Sequence, residues 1–290
     1  MVTPVVVATD SSACLPAELA SAWGVLVAPL QVIVDEVAYD EGSAITPSEV
    51  VEALLAERHV TTSQPGPAAL LGVTESAASA GATHLVFLSL SGGISGTAQA
   101  MEVIASSAPL PVTVVDTGTV SLSAGLAALS AAAVARAGGS ADEVVAEARR
   151  AADGSLCLFT VDTLEYLRRG GRVSDASAAL GNALGVKPVL GVIGGRVDQV
   201  ERVRTSTKAR AAVVDRIAAH AATLRHPVVG LMTLSGDDGV ADEARTLIRE
   251  HGDWPVLSAG LSAVLAAHGG PGSLAVAVVD VHADVAAALA

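Results

Sequence analysis

The sequence predicts an α/β protein of two domains, an N-terminal domain on a parallel sheet and a C-terminal domain on a mixed sheet. Short β-branched segments alternate with capped helices over the first half, which is the pattern of a parallel α/β sheet. The pattern changes near the middle, and a two-glycine turn then joins two strand-like segments. The length of 290 residues also suits two domains of roughly 150 residues each. We therefore predict domains at 1–155 and 156–290.

Four apolar segments of the first half are predicted to be strands. They cover residues 5–10, 25–34, 84–90 and 110–117, and they are rich in Val and Leu. Small hydroxyl-bearing residues follow the first, third and fourth of these strands. Because ligands of open α/β sheets bind beyond the carboxyl ends of the strands, we expect a binding site among these loops.

Helix signals separate the predicted strands. Thr46 and Glu49 form a capping box with a proline between them, which predicts a helix that continues to about Arg58. Residues 61–67 are polar and contain two prolines, so we predict a loop there. An Ala-rich helix is predicted over residues 121–137, and two glycines follow it. Ser140 and Glu143 form a second capping box, which predicts another helix.

The second half begins with a predicted strand over residues 156–162 and a short helix over residues 164–172. Residues 187–204 have the pattern of a hairpin, with two adjacent glycines at the turn and alternating polarity after it. A final apolar strand is predicted over residues 274–281. These features indicate a mixed sheet in the second domain.

Composition excludes several classes of function. The chain has 17 basic and 30 acidic residues, a net charge of −13, and only 2% aromatic residues. Nucleic-acid binding depends on Lys and Arg contacts to phosphates and on aromatic stacking, so we expect none. The two cysteines, Cys14 and Cys157, are far apart in sequence, and no short histidine pair of the kind that binds metals occurs. We therefore expect neither a metal ion nor a cofactor.

Hydropathy predicts a cytoplasmic protein with at most transient membrane contact. The opening residues lack a basic segment, and Asp10 interrupts the first apolar stretch, so we expect no signal peptide. No run of 18 apolar residues occurs, which argues against a membrane span.

Basic residues concentrate in one stretch of this acidic chain. Ten of the 17 Lys and Arg residues lie between Arg168 and Arg216, against four acidic residues. A cationic face on an acidic protein would attract an anionic ligand or partner. An ordinary solvated surface is the alternative, and the sequence leaves open whether the stretch forms one surface.

Two small-residue motifs bear candidate polar groups. Ser95 has Gly93 two residues before it but Thr97 two residues after it, so it lacks the second glycine of a nucleophile elbow. A helix cap explains the same residues, and a serine-dependent acyl hydrolase stays open as an alternative. His268 stands between two alanines and two glycines, and either a structural or a ligand-binding role fits that context.

The loops form an ordered set that resembles the DegV family of bacterial lipid-binding proteins, the fatty-acid-binding subunits of fatty acid kinase. The resemblance runs from residue 5 to about residue 280. The set comprises residues 9–16 (TDSSACLP), 62–67 (TSQPGP), 91–100 (SGGISGTAQA), 115–117 (VDT), 162–174 (DTLEYLRRGGRVS), 185–190 (GVKPVL), 203–209 (VRTSTKA) and 268–272 (HGGPG).

The resemblance implies a two-domain DegV-like fold that clasps a long-chain fatty acid between its domains. The acyl chain would occupy an apolar tunnel, and the carboxylate would meet hydroxyls at the domain interface. The residues that match the head-group motifs are Thr62, Ser63, Ser95, Gly96, Thr97 and His268.

The resemblance also implies a non-catalytic role. The protein would present the bound acid to a separate ATP-dependent kinase subunit, which makes acyl phosphate for phospholipid synthesis. The residues that would face this partner are Arg168, Arg169, Arg172, Arg202 and Arg204.

Three departures from the family pattern lie near the expected head group. Gly66 stands where the family often has Ser, Ala98 stands where an aromatic residue is common, and Gly92 and Gly93 replace bulkier residues. These changes remove volume, so a carrier of another apolar carboxylic acid is a further alternative. The length, saturation and branching of the acyl chain, the oligomeric state and the identity of the kinase stay open.

Overall fold

A computed structural model describes residues 4–173, 186–234 and 238–290 of the chain. The strands in these ranges are β1 (Val5–Asp10), β2 (Leu26–Ala28), β3 (Gln31–Val34), β4 (Val37–Asp40), β5 (Val60–Ser63), β6 (His84–Ser89), β7 (Val112–Asp116), β8 (Leu156–Thr160), β9 (Lys187–Ile193), β10 (Arg196–Val203), β11 (Pro227–Thr233), β12 (Val256–Gly260) and β13 (Leu274–Asp280).

The helices in these ranges are α1 (Ala17–Trp23), α2 (Pro47–Leu55), α3 (Pro67–Ser79), α4 (Thr97–Ala105), α5 (Leu122–Arg136), α6 (Ala141–Asp153), α7 (Glu165–Arg169), α8 (Ser206–Ala221), α9 (Asp238–His251), α10 (Ala263–Gly269) and α11 (Ala283–Leu289). A 3-10 turn, Ser11–Ala13, follows β1. None of the helices in the described ranges combines the length and apolar character that crossing a bilayer requires.

The first half contains a four-stranded parallel sheet in the order β2-β1-β6-β7. Helices α3 and α4 pack on one face, and α5 and α6 pack on the other. Both faces of β1 and β6 are therefore covered, which explains why these strands are almost continuously apolar. The predicted parallel sheet is confirmed, and both predicted capping boxes, at Thr46 and Ser140, form as expected.

A second, three-stranded antiparallel sheet in the order β4-β3-β5 corrects two of the predictions for the first half. The expected single strand over residues 25–34 is two strands in different sheets, β2 and β3, separated by Pro29. Proline has no N–H for a strand ladder, so the chain leaves the parallel sheet there. The expected loop over residues 61–67 begins with the last residues of β5, because pairing with β3 satisfies its backbone despite its polar side chains.

The second half forms a six-stranded mixed sheet in the order β10-β9-β8-β13-β11-β12. Only the β11–β12 pair is parallel, and the other pairs are antiparallel. The predicted hairpin is confirmed as β9 and β10, which join at Gly194 and Gly195. Both glycines have positive φ, the backbone conformation that favours glycine in tight turns.

Helix α5 lies between the two larger sheets and packs against both. Thirteen of its 15 residues are buried. One apolar cluster contains Leu88 of the parallel sheet, alanines of α5, and Val228 and Val279 of the six-stranded sheet. The two halves thus share a core. The boundary between two domains at residue 155 stays a prediction.

We predict opposite stability changes for two Gly→Ala substitutions in helices. A methyl group at Gly125 of α5 would lie 2.6 Å from the carbonyl oxygen of Ala13, whereas a methyl group at Gly72 of α3 meets no atom within 4 Å. Gly125→Ala should therefore lower the free energy of unfolding by about 1–3 kcal/mol through overpacking. Gly72→Ala should raise it by about 0.5–1 kcal/mol because alanine restricts the unfolded chain. Urea unfolding of both variants measures the two changes, and changes of the same sign would contradict the packing of α5.

Candidate functional site

A cavity of about 300 Å³ opens where the carboxyl ends of the parallel strands meet the small sheet and the second half. Its wall is mostly apolar, as is typical of pockets that bury a small molecule. The apolar residues that line it are Leu30, Leu90, Ile94, Val120, Cys157, Phe159, Leu167, Val197, Leu261, Val264, Leu265, Leu274 and Ala275. Polar side chains and backbone are contributed by Thr62, Ser63, Gln64, Ser95, Gly96, Ser121, Arg172, His268 and Ser273.

Thr62 and His268 meet inside this cavity although 206 positions separate them in sequence. Thr62 lies on β5, where it pairs with Val32, and His268 lies near the end of α10. The Thr62 Oγ1 and His268 Nε2 atoms are 2.8 Å apart. Either atom can donate, because the donor depends on the imidazole tautomer. The structure therefore brings together two residues that the resemblance assigns to one head-group site.

The predicted Ser95, Gly96 and Thr97 group is a loop after β6 that leads into α4. Ser95 and Gly96 line the cavity, whereas Thr97 is fully buried behind it. The Ser95 Oγ and Thr97 Oγ1 atoms are 2.9 Å apart, so the two hydroxyls orient each other. A methyl group at Gly96 would lie 2.6 Å from Oε1 of Gln64, so the Gln64 side chain packs closely against this loop.

The tip of the β9–β10 hairpin holds this loop in place. The Ser91 hydroxyl donates to the carbonyl oxygen of Gly195 at 2.6 Å. A methyl group at Gly93 would lie 2.3 Å from the same carbonyl oxygen. The close approach of the hairpin therefore requires glycine at position 93, where the family pattern has a bulkier residue.

A buried carboxyl group connects the loops at the ends of β1 and β6. Asp10 accepts from the backbone N–H groups of Leu90 at 2.7 Å and Ser12 at 3.1 Å. Burial raises the pKa of Asp10 to about 6, although the hydrogen bonds from Ser12 and Leu90 oppose that rise. Asp10 thus positions Leu90, which lines the cavity, rather than facing the cavity itself.

The five arginines expected to face a partner occupy different environments. Arg168 and Arg169 of α7 are exposed, and both pair with Glu165. Arg202 and Arg204 are exposed at the end of β10. Arg172 instead lines the cavity, where its Nε donates to the carbonyl oxygen of Ile94 at 3.2 Å.

Ion pairs also reduce the positive charge of the basic stretch. Arg210 pairs with Glu243, and Lys187 lies 3.6 Å from a carboxylate oxygen of Asp162. Both carboxylates come from outside the stretch, so its net charge in sequence overstates its charge in space. Residue 175 of this stretch, and residues 174 and 185 of the matching motifs, lie outside the described ranges.

His268 is half-buried in the cavity wall, and its surroundings favour the neutral ring. Loss of contact with water, together with the smaller effect of the nearby positive charge of Arg172, lowers the pKa of His268 to about 4. The ring also lies against α7, since a methyl group at Gly170 would be 2.3 Å from its Nδ1 atom. At neutral pH the site thus presents an uncharged imidazole and hydroxyls, with Arg172 as a cation beside them.

Gln64, Ser121 and Ser273 line the cavity but were not among the residues predicted from the sequence. Ser121 precedes α5 with φ of 62° and ψ of −152°, a backbone conformation that is costly for any residue except glycine. Its hydroxyl donates to the sulfur of Met232 in the second half. No local pattern predicts this conformation or the contact with the second half of the chain.

The hydrogen bonds of the site bear on the alternative of a serine hydrolase. In the described residues Ser95 has Thr97 as its side-chain partner and His268 has Thr62, so no serine–histidine pair forms there.

Burial raises the pKa of Cys14 and of Cys157 to about 12, which keeps both thiols protonated. Among these residues there is also no group of three or more His, Cys, Asp or Glu side chains placed to hold a metal ion.

We predict that His268 makes folding sensitive to acid. Its folded pKa of about 4 lies below the ordinary value of 6.5, so the unfolded chain binds the proton more readily. The stability that the neutral ring contributes is present above pH 6.5 and is lost as the pH falls toward 4, by about 3 kcal/mol. Asp10, whose pKa is raised, changes stability in the opposite sense over the same range.

His268→Gln isolates this effect, because Asp10 is present in both proteins. The difference in unfolding free energy between wild type and variant should shrink by about 3 kcal/mol from pH 7 to pH 4. Urea unfolding at a series of pH values measures it. A difference that stays constant with pH would show that His268 does not titrate in this way.

Comparison with known proteins places the chain among relatives of the same length. Residues 4–281 match the family described as "Uncharacterised protein, DegV family". A DegV domain-containing protein of Streptomyces coelicolor is 42% identical over 277 residues, which cover 94% of this chain and 98% of the relative. A relative from Deinococcus radiodurans is 36% identical, over 94% of this chain and 97% of its own length.

Solved structures share the fold. A DegV family protein from Thermus thermophilus, described as binding fatty acid, is 34% identical and has a TM-score of 0.88, with 96% of this chain and 100% of that chain covered. DegV of Bacillus subtilis, described as a fatty acid binding protein, is 26% identical and has a TM-score of 0.86, over 96% and 99% of the two chains. With the match extending from residue 4 to residue 281, this chain belongs to the DegV family.

Proposed function

We propose that this protein binds a long-chain fatty acid in its cavity and presents the carboxylate to a separate kinase subunit that forms acyl phosphate. The observation that carries the proposal is one apolar cavity lined by Thr62, Ser95 and His268. Related structures from Thermus thermophilus and Bacillus subtilis, described as fatty-acid-binding proteins, support the choice of ligand.

The apolar wall suits an acyl chain. Each buried methylene group contributes about 0.8 kcal/mol, so an acid of about 14 methylenes offers roughly 11 kcal/mol of gross burial energy. Association costs at least several kcal/mol of this. Burial alone therefore supports tight binding, and the head group can be held by hydrogen bonds without a dedicated ion pair.

The polar residues suit a carboxylate that must remain reactive. The Ser95 hydroxyl can donate to its oxygens. The Thr62 hydroxyl can also donate to them when the neutral His268 ring donates from Nε2 to the Thr62 oxygen. Arg172 adds a nearby positive charge, but its Nε and Nη1 groups donate to the backbone carbonyls of Ile94 and Gly170. Such an environment holds the carboxylate without locking it in a bidentate arginine pair.

A separate subunit would supply ATP. The sequence lacks both the dinucleotide fingerprint and the phosphate loop of nucleotide-binding proteins. The exposed arginines Arg168, Arg169, Arg202 and Arg204 are side chains that an acidic or phosphate-bearing partner surface would attract. We assign to them the docking role, and to Arg172 a place beside the carboxylate.

Binding of the carboxylate is tested by Thr62→Ala combined with Ser95→Ala. Loss of two hydrogen bonds to a charged group, about 1.5–3 kcal/mol each, should weaken fatty-acid binding at least 100-fold. Binding of the corresponding fatty alcohol should change much less, because the apolar wall is intact. Affinities are measured by calorimetry on delipidated protein, and mass spectrometry of a solvent extract identifies the acid that wild type carries.

Thr113→Ala is the matched control for this experiment. Thr113 also pairs with a histidine, His84, at 2.9 Å, but neither residue lines the cavity. The control should bind the acid as wild type does. Full retention of acid binding by the double variant would overturn the head-group assignment, and hydrolysis of short acyl esters that requires Ser95 would instead favour an enzyme.

Docking of the kinase is tested by charge reversal on α7. Arg168→Glu with Arg169→Glu should leave fatty-acid affinity within about twofold, because neither side chain lines the cavity. Formation of acyl phosphate by an added ATP-dependent fatty acid kinase should fall at least about tenfold, since rim charges govern encounter. The measurement is acyl phosphate formed per minute at saturating fatty acid.

Arg245→Glu provides the control for charge reversal. Arg245 pairs with Asp242 three residues before it, as Arg168 pairs with Glu165, but it lies on α9. Turnover with this variant should match wild type. Equal turnover by the α7 variant would remove α7 from the docking surface.

A further inference from the structure

Glu41 is a buried carboxyl group that the proposed function does not use. It follows β4, and its side chain comes from the small sheet of the first half. Its backbone N–H donates to the carbonyl oxygen of Leu30 at 2.9 Å, which anchors the residue beside the cavity wall. Only 8% of Glu41 is exposed. A buried carboxyl group requires hydrogen-bond partners, and those partners identify what it holds.

The two carboxyl oxygens of Glu41 join three segments of the chain. Oε1 accepts from the backbone N–H of Val264 at 3.1 Å, in the first turn of α10. Oε2 accepts from the hydroxyl of Ser11, which follows β1. The Ser11 Oγ in turn accepts from the backbone N–H of Leu30 at 2.9 Å. Glu41 thus connects the small sheet and the end of β1 to a helix 223 positions later in sequence.

Helix α10 transmits this contact to the cavity. It has seven residues, and the side chain of Ser262 caps it by accepting from Leu265 N–H. Val264 and His268 are four residues apart, so they lie on the same face of the helix about 6 Å from each other along its axis. Both line the cavity. A displacement of the first turn would therefore move His268 relative to Thr62.

The surroundings of Glu41 contain no compensating cation within ion-pair distance in the described part of the chain. The charge of Glu41 itself acts on two buried neighbours, since it helps to raise the pKa of the Asp10 carboxyl and of the Cys14 thiol. The ring of His268 is at the other end of α10 and is neutral at pH 7. The backbone N–H groups of the first turn of α10 and the hydroxyls of Ser11 and Ser262 instead satisfy the carboxyl group.

We propose that Glu41 is a positioning residue, which holds the first turn of α10 against the first half of the chain and so keeps His268 in contact with Thr62. We call the contacts of Glu41 with Ser11 and Val264 the clamp, and these contacts form without a ligand. The consequence of the clamp for fatty-acid recognition rests on the proposed function, because only there does Thr62, held by His268, contact the carboxylate.

Titration of His268 by NMR tests the clamp on delipidated protein. The His268 resonance is assigned by its absence from His268→Gln. In wild type its pKa should be about 4, because the ring is shielded from water and lies near the positive charge of Arg172. In Glu41→Ala the pKa should rise by at least about one unit toward 6.5, because a released α10 exposes the ring to water. Glu41→Gln, which keeps the size and one acceptor oxygen, is the second variant if Glu41→Ala does not fold. The pKa of His268 should also rise in this variant.

Glu143→Ala is the matched control for a general loss of stability. Glu143 also accepts from backbone N–H at a helix start, in the capping box of α6, but it does not line the cavity. It should lower stability without changing the His268 pKa. An unchanged His268 pKa in both Glu41 variants would overturn the proposal and leave Glu41 a stabilising residue only.

Ligand affinities then separate the clamp from the proposed function. Glu41→Ala should weaken binding of hexadecanoic acid about tenfold, the effect of one misplaced hydrogen bond to a charge, and binding of hexadecan-1-ol less than about twofold. If the His268 pKa rises in the Glu41 variants but wild type binds no fatty acid, the positioning role of Glu41 is supported and the proposed ligand is wrong. Equal losses for acid and alcohol would overturn the positioning role.

Discussion

The burial of helix α5 is the constraint on which the rest of the structure depends. Alanine and glycine along this helix let the parallel sheet approach one side and the six-stranded sheet the other. Separating the halves would expose this shared apolar surface, at roughly 25 cal/mol for each Å². The cavity lies at the beginning of the same helix, where Ser121 contributes to its wall. Its shape therefore follows from how closely the two sheets pack.

Burial also decides the chemistry of the polar residues. In a medium of low polarity a charged imidazole is costly, so His268 stays neutral and shares a hydrogen bond with Thr62. The carboxyl groups of Asp10 and Glu41 are buried and are used to position backbone, behind the residues that line the cavity. The cavity thus combines an apolar wall with neutral donors and one cation, Arg172, and the proposal of an apolar acid as ligand rests on this combination.

Predictions from the sequence were accurate where a local signal decides the structure. The capping boxes at Thr46 and Ser140 and the two-glycine hairpin turn follow from side chains within a few residues of each other. The predictions from the sequence failed where a segment pairs with a distant part of the chain. Residues 60–63 form β5 because β3 offers a ladder to their backbone, and their polar side chains concealed that pairing. Arg172 belongs to a basic stretch in sequence, yet its contact with Ile94 places it in the cavity.

The sequence by itself determined the α/β class, the family and the residues Thr62, Ser95 and His268 as members of a candidate site. It could do so because strand, cap and turn signals are local and because the motifs keep their order along the chain. Only the tertiary structure decided that Thr62 touches His268, that Glu41 caps a helix from the other half, and that Ser121 is strained. The physical reason is that these contacts join segments more than 100 residues apart, and packing around α5 sets their distances.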